Sequence, residues 1–380
     1  MTARKAVACD LKLACAKRLD AIDRSCMPIK PLDVVSAIWR CIECLAAQEK
    51  LNELGKKVRI QYADVYSSIP HASALPNNFY ARIALKDPTK SIMMRSYSTP
   101  RKYKEAWALL IQEHLNAGHI RLSNSAHASP AFMVPKMDPL AVPRWVNNYR
   151  ILNSNTILDA HPLPRVDDIL ADCGKGRVWS KLNMTNSFFQ TLVHPDDVPL
   201  TAVSTPFRLY EWLVMPMGLK NAPPIHQHRM TAALHKYIGR FCHVYIDDMV
   251  IWSDNLEEHC EHVNLIMQAL WHSHLHLNAK KCQFFVTELD FLGHHISAQG
   301  IEPQSSKCDK IMKWPKPCST TDVWSFLSLV RYITRFLPKL ADHTVVLTPL
   351  TMKDSHSLPG RPHMTSLSNQ LRPWSVVHNA

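Results

Sequence analysis

The stretch Cys242-His-Val-Tyr-Ile-Asp247-Asp248-Met-Val-Ile-Trp252 constrains this chain most. Strand-forming residues flank two adjacent acids on both sides. That pattern predicts a β-hairpin whose tight turn presents two carboxylates. An Asp-Asp pair is also a good turn former without any chemistry. The pair gains chemical meaning if a third acid reaches it from another strand, because hard divalent cations need several oxygens at once.

The remaining texture sets the frame for that hairpin. Short β-like runs cover 131–134, 144–146, 177–180, 188–193, 207–212, 243–245 and 249–252. Helical patterns sit between them, at 166–171 and 222–237. Strand blocks mixed with helices give an α+β fold. A first helix is expected from Asp33 to Leu54, with Gly55 as its stop, and a second from Pro100 to Ala117, ended by Gly118. Asp254 to Glu257 has capping-box spacing and opens a helix carrying Val263, Ile266, Met267 and Leu270. After Gly300, helices are expected over 305–314 and 320–336. Residues 1–30 carry little pattern, and the tail from Lys353 is polar, patternless and expected to be disordered. There is no internal repeat.

Composition narrows the function classes. Of 380 residues, 44 are Lys or Arg and 32 are Asp or Glu, for a net charge of +12. A basic surface of this size suits nucleic acid or another polyanion, although it also suits simple solubility. No run of about 18 apolar residues predicts a membrane span. The first residues form no sustained apolar segment, so the eleven cysteines are expected as reduced thiols. Cys41 and Cys44 have CxxC spacing but lie in an amphipathic helical pattern with no second ligand pair, so they read as small core residues. His259, Cys260 and His262, then His272, His274 and His276, look metal-rich, but they follow one helix and its end and read as a solvated His-rich stretch.

Further motifs make the sequence resemble a known family. Ala128-Ser-Pro-Ala-Phe-Met-Val-Pro-Lys136, Arg144-Trp-Val-Asn-Asn-Tyr-Arg-Ile-Leu-Asn153 and His161-Pro-Leu-Pro-Arg-Val-Asp-Asp168 come first. Trp179-Ser-Lys-Leu-Asn-Met-Thr-Asn-Ser-Phe-Phe-Gln190, Val214-Met-Pro-Met-Gly-Leu-Lys-Asn-Ala-Pro223, Tyr245-Ile-Asp-Asp248, Lys280-Lys-Cys-Gln-Phe284 and Phe291-Leu-Gly-His294 follow in order. From about Tyr97 to Leu350, roughly two thirds of the chain, this series resembles the reverse transcriptase of gypsy-type LTR retrotransposons, a Pol polyprotein fragment.

The resemblance implies a right-hand polymerase of fingers, palm and thumb, with an antiparallel palm sheet and a helical N-terminal extension. The corresponding domains are an extension over 1–95; fingers at about 100–165 and 195–212; palm at about 166–194 and 213–300; thumb or connection helices over 301–352; and a tail over 353–380. It implies two-metal phosphoryl transfer of dNTPs onto a primer 3′-hydroxyl, with two Mg²⁺ ions, or Mn²⁺. Asp247 and Asp248 are then metal-binding acids. Lys136 and Arg144 reach the triphosphate, Phe188 is the steric gate against a 2′-hydroxyl, and Met217 lies under the nucleotide or template. Lys281 is a candidate general acid for pyrophosphate. Leu292, Gly293 and His294 form the primer grip. An RNA or DNA primer–template is the expected partner. A dimer and a cytoplasmic location follow only from family analogy.

Three departures qualify the expected activity. The first catalytic strand carries Asn183 where the family has aspartate, replacing a carboxylate by one carbonyl oxygen and an NH₂ that only donates. Asn148 stands where the fingers motif usually has Asp, with the expected loss of a local salt bridge. The resemblance fades after Leu347-Thr-Pro-Leu-Thr351, as a decayed or truncated element copy would. The sequence therefore predicts a polymerase domain with absent or severely reduced activity. The alternative is a catalytically dead, nucleic-acid-binding remnant, whose Lys and Arg contacts to phosphates would be salt-dependent.

Overall fold

The computed structural model describes residues 31–138, 141–315, 319–332, 334–336 and 344. The expectations for 1–30, for the tail over 353–380 and for Leu347–Thr351 lie outside these residues. The chain divides into two compact units, Met1–Glu53 and Leu54–Ala380.

Helix α1 runs Pro31–Gln61. It does not stop at Gly55. A Cβ at that position would stand 3.3 Å from the Phe284 Cβ, so the glycine permits close packing inside a continuing helix. The next turn is anchored by Arg59, which donates to the carbonyls of Ala279 and Cys282 (2.5 and 2.7 Å) and lies over the Phe284 ring.

The first half of the second unit holds α2 (Lys104–Asn116), the short α3 (Arg150–Asn155) and a five-stranded sheet. Its strands are β2 (Ile120–Leu122), β3 (Ser129–Val134), β4 (Arg144–Asn147), β7 (Val203–Ser204) and β8 (Leu209–Trp212), ordered β2-β8-β7-β3-β4. A small parallel pair, β1 (Tyr80–Ala81) with β6 (Leu192–Val193), lies beside it. The core here is aromatic: Trp145 faces Trp107 and Trp212 with ring centroids 4.9 and 5.4 Å apart. Such tilted pairs add roughly 0.5–1.5 kcal/mol each beyond their burial.

The stretch 188–193 is not one strand. Asn186 adopts φ 41°, and Ser187–Gln190 form a 3₁₀ turn before β6. Tertiary bonds override the local β-propensity: Gln190 donates to the carbonyls of Thr185 and His276 and accepts from the His276 N–H.

The second half is built on a four-stranded antiparallel sheet ordered β11-β5-β10-β9. Its members are β5 (Val178–Asn183), β9 (Cys242–Tyr245), β10 (Asp248–Ser253) and β11 (Gln283–Val286). One face packs on α4 (Val166–Cys173) through Ile169, Leu170, Trp179, Val250 and Trp252. Two further helices, α5 (Ala222–Leu234) and α6 (Leu256–His272), complete this half. Val263, Ile266, Met267 and Leu270 of α6 are buried, at the spacing that marks one helix face. The cap of α6 is Asn255, whose side chain accepts the Glu258 N–H at 2.9 Å, one residue later than the Asp254 box. A three-stranded sheet follows, β12 (Glu288–Phe291), β13 (His294–Ser297) and β14 (Gly300–Pro303), and then the helices α7 (Ser305–Met312) and α8 (Thr320–Tyr332).

Candidate active site

The acidic hairpin forms, but its turn is one residue earlier than the acid pair. Tyr245 and Asp248 are cross-strand partners, so Ile246 and Asp247 are the turn residues and Asp248 opens β10. Ile246 has φ 54°. That left-handed conformation is uncommon for a β-branched residue and needs support from its surroundings.

The third position comes from β5. Asn183 is the register partner of Asp248. Partners across a sheet share a face, so Asn183 reaches the acids from the neighbouring strand. Its Nδ2 donates to Asp248 Oδ1 at 2.8 Å. Its Oδ1 is buried and meets no donor. Lys181, two residues earlier on the same face, places its Nζ 4.0 Å from Asp248 Oδ1 and donates to the Asp290 carbonyl at 3.1 Å. Beneath this strand, the Asn183 N–H points at Cys282 Sγ, 3.5 Å away, and burial pushes the Cys282 thiol up.

Asp247 has different neighbours. Ser187 Oγ donates to its Oδ1, and its carbonyl accepts the Met184 N–H at 3.0 Å. Burial raises its carboxyl above the usual range. The Ser187 bond opposes that shift, the Asp248 charge adds to it, and the Lys281 charge opposes it. His226, fully buried on α5, has its Nε2 4.0 Å from Asp247 Oδ1. Burial, helped by the Arg229 charge, lowers the His226 imidazole to about 4, so it is neutral at pH 7.

Phe188 is half-buried and meets the His226 ring edge-on, with centroids 5.8 Å apart. The structure thus gathers Asn183, Asp247, Asp248, Lys281 and Phe188. Lys136, Arg144 and Met217 are exposed and, among the described residues, share no hydrogen bond or ion pair with that group. Arg144 opens β4 opposite Val134, and Lys136 follows β3. Leu292 and Gly293 (φ 46° and 76°) turn the β12–β13 hairpin, with Phe291 paired to His294. His294 Nδ1 lies 3.2 Å from the Tyr332 hydroxyl of α8.

Sequence reasoning missed Ser187, Lys181, His226 and Gln227. Gln227 is 1% exposed and bonds the β9 arm and the turn of the acidic hairpin. A polar residue among the apolar positions of a helix was the available signal. The His-rich stretch is not a solvated helix face throughout. His259 is buried between Ser180 Oγ and Ser253 Oγ, both at 2.8 Å, and burial lowers its imidazole to about 3. His262 also meets Ser253 Oγ, at 2.7 Å. Asn148 is buried rather than bereft. Its Nδ2 donates to the Tyr97 hydroxyl at 2.6 Å, and its Oδ1 receives the Arg150 N–H at 3.3 Å.

Among the described residues, no three His, Cys, Asp or Glu side chains form a ready metal cage. The donor set nevertheless fits a hard divalent cation. Two adjacent carboxylates stand beside Asn183, whose amide oxygen is buried without a donor and is a further hard acceptor. The fit is weaker than three carboxylates would give, because the Asn183 NH₂ already occupies one oxygen of Asp248.

With that geometry in hand, comparison with known proteins gives the class. Residues 134–296 match the reverse transcriptase (RNA-dependent DNA polymerase) family. The chain is 36% identical over 244 residues to the retrovirus-related Pol polyprotein from transposon 297 of Drosophila melanogaster, covering 63% of this chain and 23% of that protein. It is 33% identical over 284 residues to the enzymatic polyprotein of cauliflower mosaic virus, covering 74% and 41%. The foamy viral protease-reverse transcriptase in complex with double-stranded DNA shares the fold, with TM-score 0.75 at 20% identity over 87% of this chain and 71% of that one. The same foamy viral protein with RNA/DNA hybrid superposes with TM-score 0.74. The chain therefore carries a reverse transcriptase-family domain of the kind found in transposon Pol polyproteins. It spans less than half the length of the curated relatives it matches.

Proposed function

We propose that this domain is the RNA-directed DNA polymerase of a gypsy-type LTR element, with its phosphoryl-transfer site impaired at Asn183. One observation carries the reading: Asn183 stands in register with Asp248 and gives its NH₂, not a carboxylate, to the site. Asp247 and Asp248, with the Asn183 oxygen, would hold Mg²⁺ or Mn²⁺. Bound there, the ions would activate the primer 3′-hydroxyl and neutralise the triphosphate and leaving pyrophosphate.

This chain's own residues supply the rest. Lys281, close enough to Asp247 for their charges to interact, would give a proton to pyrophosphate. Phe188 would close the space of a 2′-hydroxyl. Lys136 and Arg144 would neutralise the triphosphate, and Met217 would support the nucleotide. The Leu292–His294 turn, seated against Tyr332, would steady the primer. The substrates would be dNTPs on an RNA or DNA primer–template. Dimerisation and a cytoplasmic location belong to the same proposal.

A second reading is a binding remnant without chemistry. It is favoured by the donors around Asp248: the Asn183 NH₂ and the Lys181 ammonium compensate its charge without any ion. Primer extension on an RNA template with a DNA primer separates the two. Wild type, Asn183→Asp and Asp247→Ala are compared in Mg²⁺ and in Mn²⁺. The expected result is extension by Asn183→Asp at least roughly a hundredfold above wild type, about 2.7 kcal/mol of barrier. Silence from all three favours the remnant. Full activity in wild type, abolished by Asp247→Ala, would make Asn183 a competent ligand and remove the impairment.

A further inference from the structure

The turn that carries Asp247 is strapped by one buried side chain. Gln227 Oε1 accepts the Ile246 N–H at 2.9 Å, and Gln227 Nε2 donates to the Val244 carbonyl at 3.1 Å. Ile246 and Asp247 turn the hairpin, and Ile246 holds its left-handed φ of 54°. Such a conformation costs on the order of 1–3 kcal/mol and persists only where the surroundings over-determine it. His226 also lies against the Ile246 backbone, and the Tyr245–Asp248 pair closes the turn. The Asp247 carbonyl is tied to the Met184 N–H, which fixes the far side of the turn but not the Ile246 φ.

We propose that Gln227 is a positioning residue for the acidic turn: its carboxamide holds Ile246 left-handed and so sets where the Asp247 carboxylate stands. Its catalytic consequence rests on the polymerase reading above. Without the strap, the Ile246 N–H and the Val244 carbonyl lose their partner together. Ile246 can then relax toward negative φ, which rotates the following peptide and the Cα–Cβ direction of Asp247. His226, packed 4.0 Å from the Asp247 Oδ1, limits any compensating movement. A displacement of about 1 Å at a reacting group can cost roughly a hundredfold in rate.

The test uses the full chain carrying Asn183→Asp, with Gln227→Met and Gln227→Glu added singly. Gln227→Met keeps the length and removes both bonds. Gln227→Glu, while its buried carboxyl is protonated, can still accept from Ile246 and donate to Val244; it loses the donor as pH rises through its raised pKa. Two readouts are taken: kcat and KM for dNTP from pH 6 to 8.5, and native-state hydrogen exchange at the Ile246 amide. Gln227→Met is expected to lower kcat about a hundredfold with KM within threefold, and to expose the Ile246 amide at least roughly tenfold while the other β9 and β10 amides stay protected. Gln227→Glu is expected to recover toward pH 6 and fail toward pH 8.5, relative to its parent. Unchanged kcat in Gln227→Met, or unchanged Ile246 protection, overturns the proposal. Loss of protection across both strands together also overturns it, since Gln227 would then be an ordinary core residue. If the Asn183→Asp parent extends no primer, the polymerase reading fails on its own, and the Ile246 exchange alone decides the role of Gln227.

Discussion

Asn183 Nδ2 donates to Asp248 Oδ1 across 2.8 Å, between two strands whose register places the residues opposite each other. A hydrogen bond to a charged group contributes about 1.5–3 kcal/mol. Asn183→Asp exchanges that bond for a like-charge contact. The ion-free variant is expected to be less stable than wild type by roughly 2 kcal/mol. Millimolar Mg²⁺ or Mn²⁺ should restore the variant, since ions that bind only the folded state stabilise it by mass action, and should raise wild type far less. Thermal unfolding in EDTA, Mg²⁺ and Mn²⁺ measures both. Equal stabilisation of wild type and variant by Mg²⁺ would show that Asn183 costs the site nothing.

Gly293 is required by its neighbour as well as by its φ of 76°. A Cβ there would overlap the Tyr332 hydroxyl and lie 3.0 Å from Tyr332 Cζ. Gly293→Ala should therefore cost roughly 1–3 kcal/mol. Tyr332→Phe removes the overlapping oxygen but not the strained φ, so the double variant should recover part of the loss. Urea unfolding of the four chains gives the coupling energy, and simple additivity would mean that the hairpin turn and α8 do not press on each other.

The acid pair, most of the short strands and the helix carrying Val263 to Leu270 were legible because each is a local pattern. What the sequence hid is tertiary. Which two residues turn the hairpin depends on the Tyr245–Asp248 register, which the Asp-Asp pair conceals by looking like a turn itself. The strand expected over 188–193 breaks at Ser187–Gln190 because Gln190 and Ser187 find partners distant in sequence. Gly55 looks like a stop, but its missing Cβ admits Phe284. Gln227 and His226 read as ordinary polar helix residues, and only the packing of α5 beneath the turn gives them a role.

Asn148 shows how a substituted position can be re-satisfied. Its amide donates to the Tyr97 hydroxyl and accepts from the Arg150 N–H. Asn148→Asp keeps both contacts with one reversal, since the Tyr97 hydroxyl can rotate to donate to the carboxylate. The melting temperature is expected to change by less than the equivalent of about 1 kcal/mol, whereas Asn148→Ala should cost about 1–2 kcal/mol by stranding buried groups. If Asn148→Asp is as damaging as Asn148→Ala, the Tyr97 hydroxyl does not rotate.

Three buried imidazoles and the half-buried His114 make this domain acid-sensitive. His114 and His119 meet through their Nδ1 atoms at 3.1 Å, and burial lowers each to about 4, with the neighbouring imidazoles adding to the shift. Burial lowers His226 to about 4 and His259 to about 3. An unfolded histidine titrates near 6.5. Between pH 6.5 and 4 the unfolded chain therefore binds more protons than the folded one, and stability falls as pH falls. The contribution is fully present above pH 6.5 and is lost progressively toward pH 4. Each such proton contributes a slope of up to about 1.4 kcal/mol per pH unit. Urea midpoints at pH 7.5, 6 and 5 should drop steeply below 6.5, before most carboxylates titrate. His259→Asn, if it still folds, should flatten the curve by about one proton. A stability that stays level from pH 7.5 to 5 would mean that these imidazoles are solvated in the folded protein.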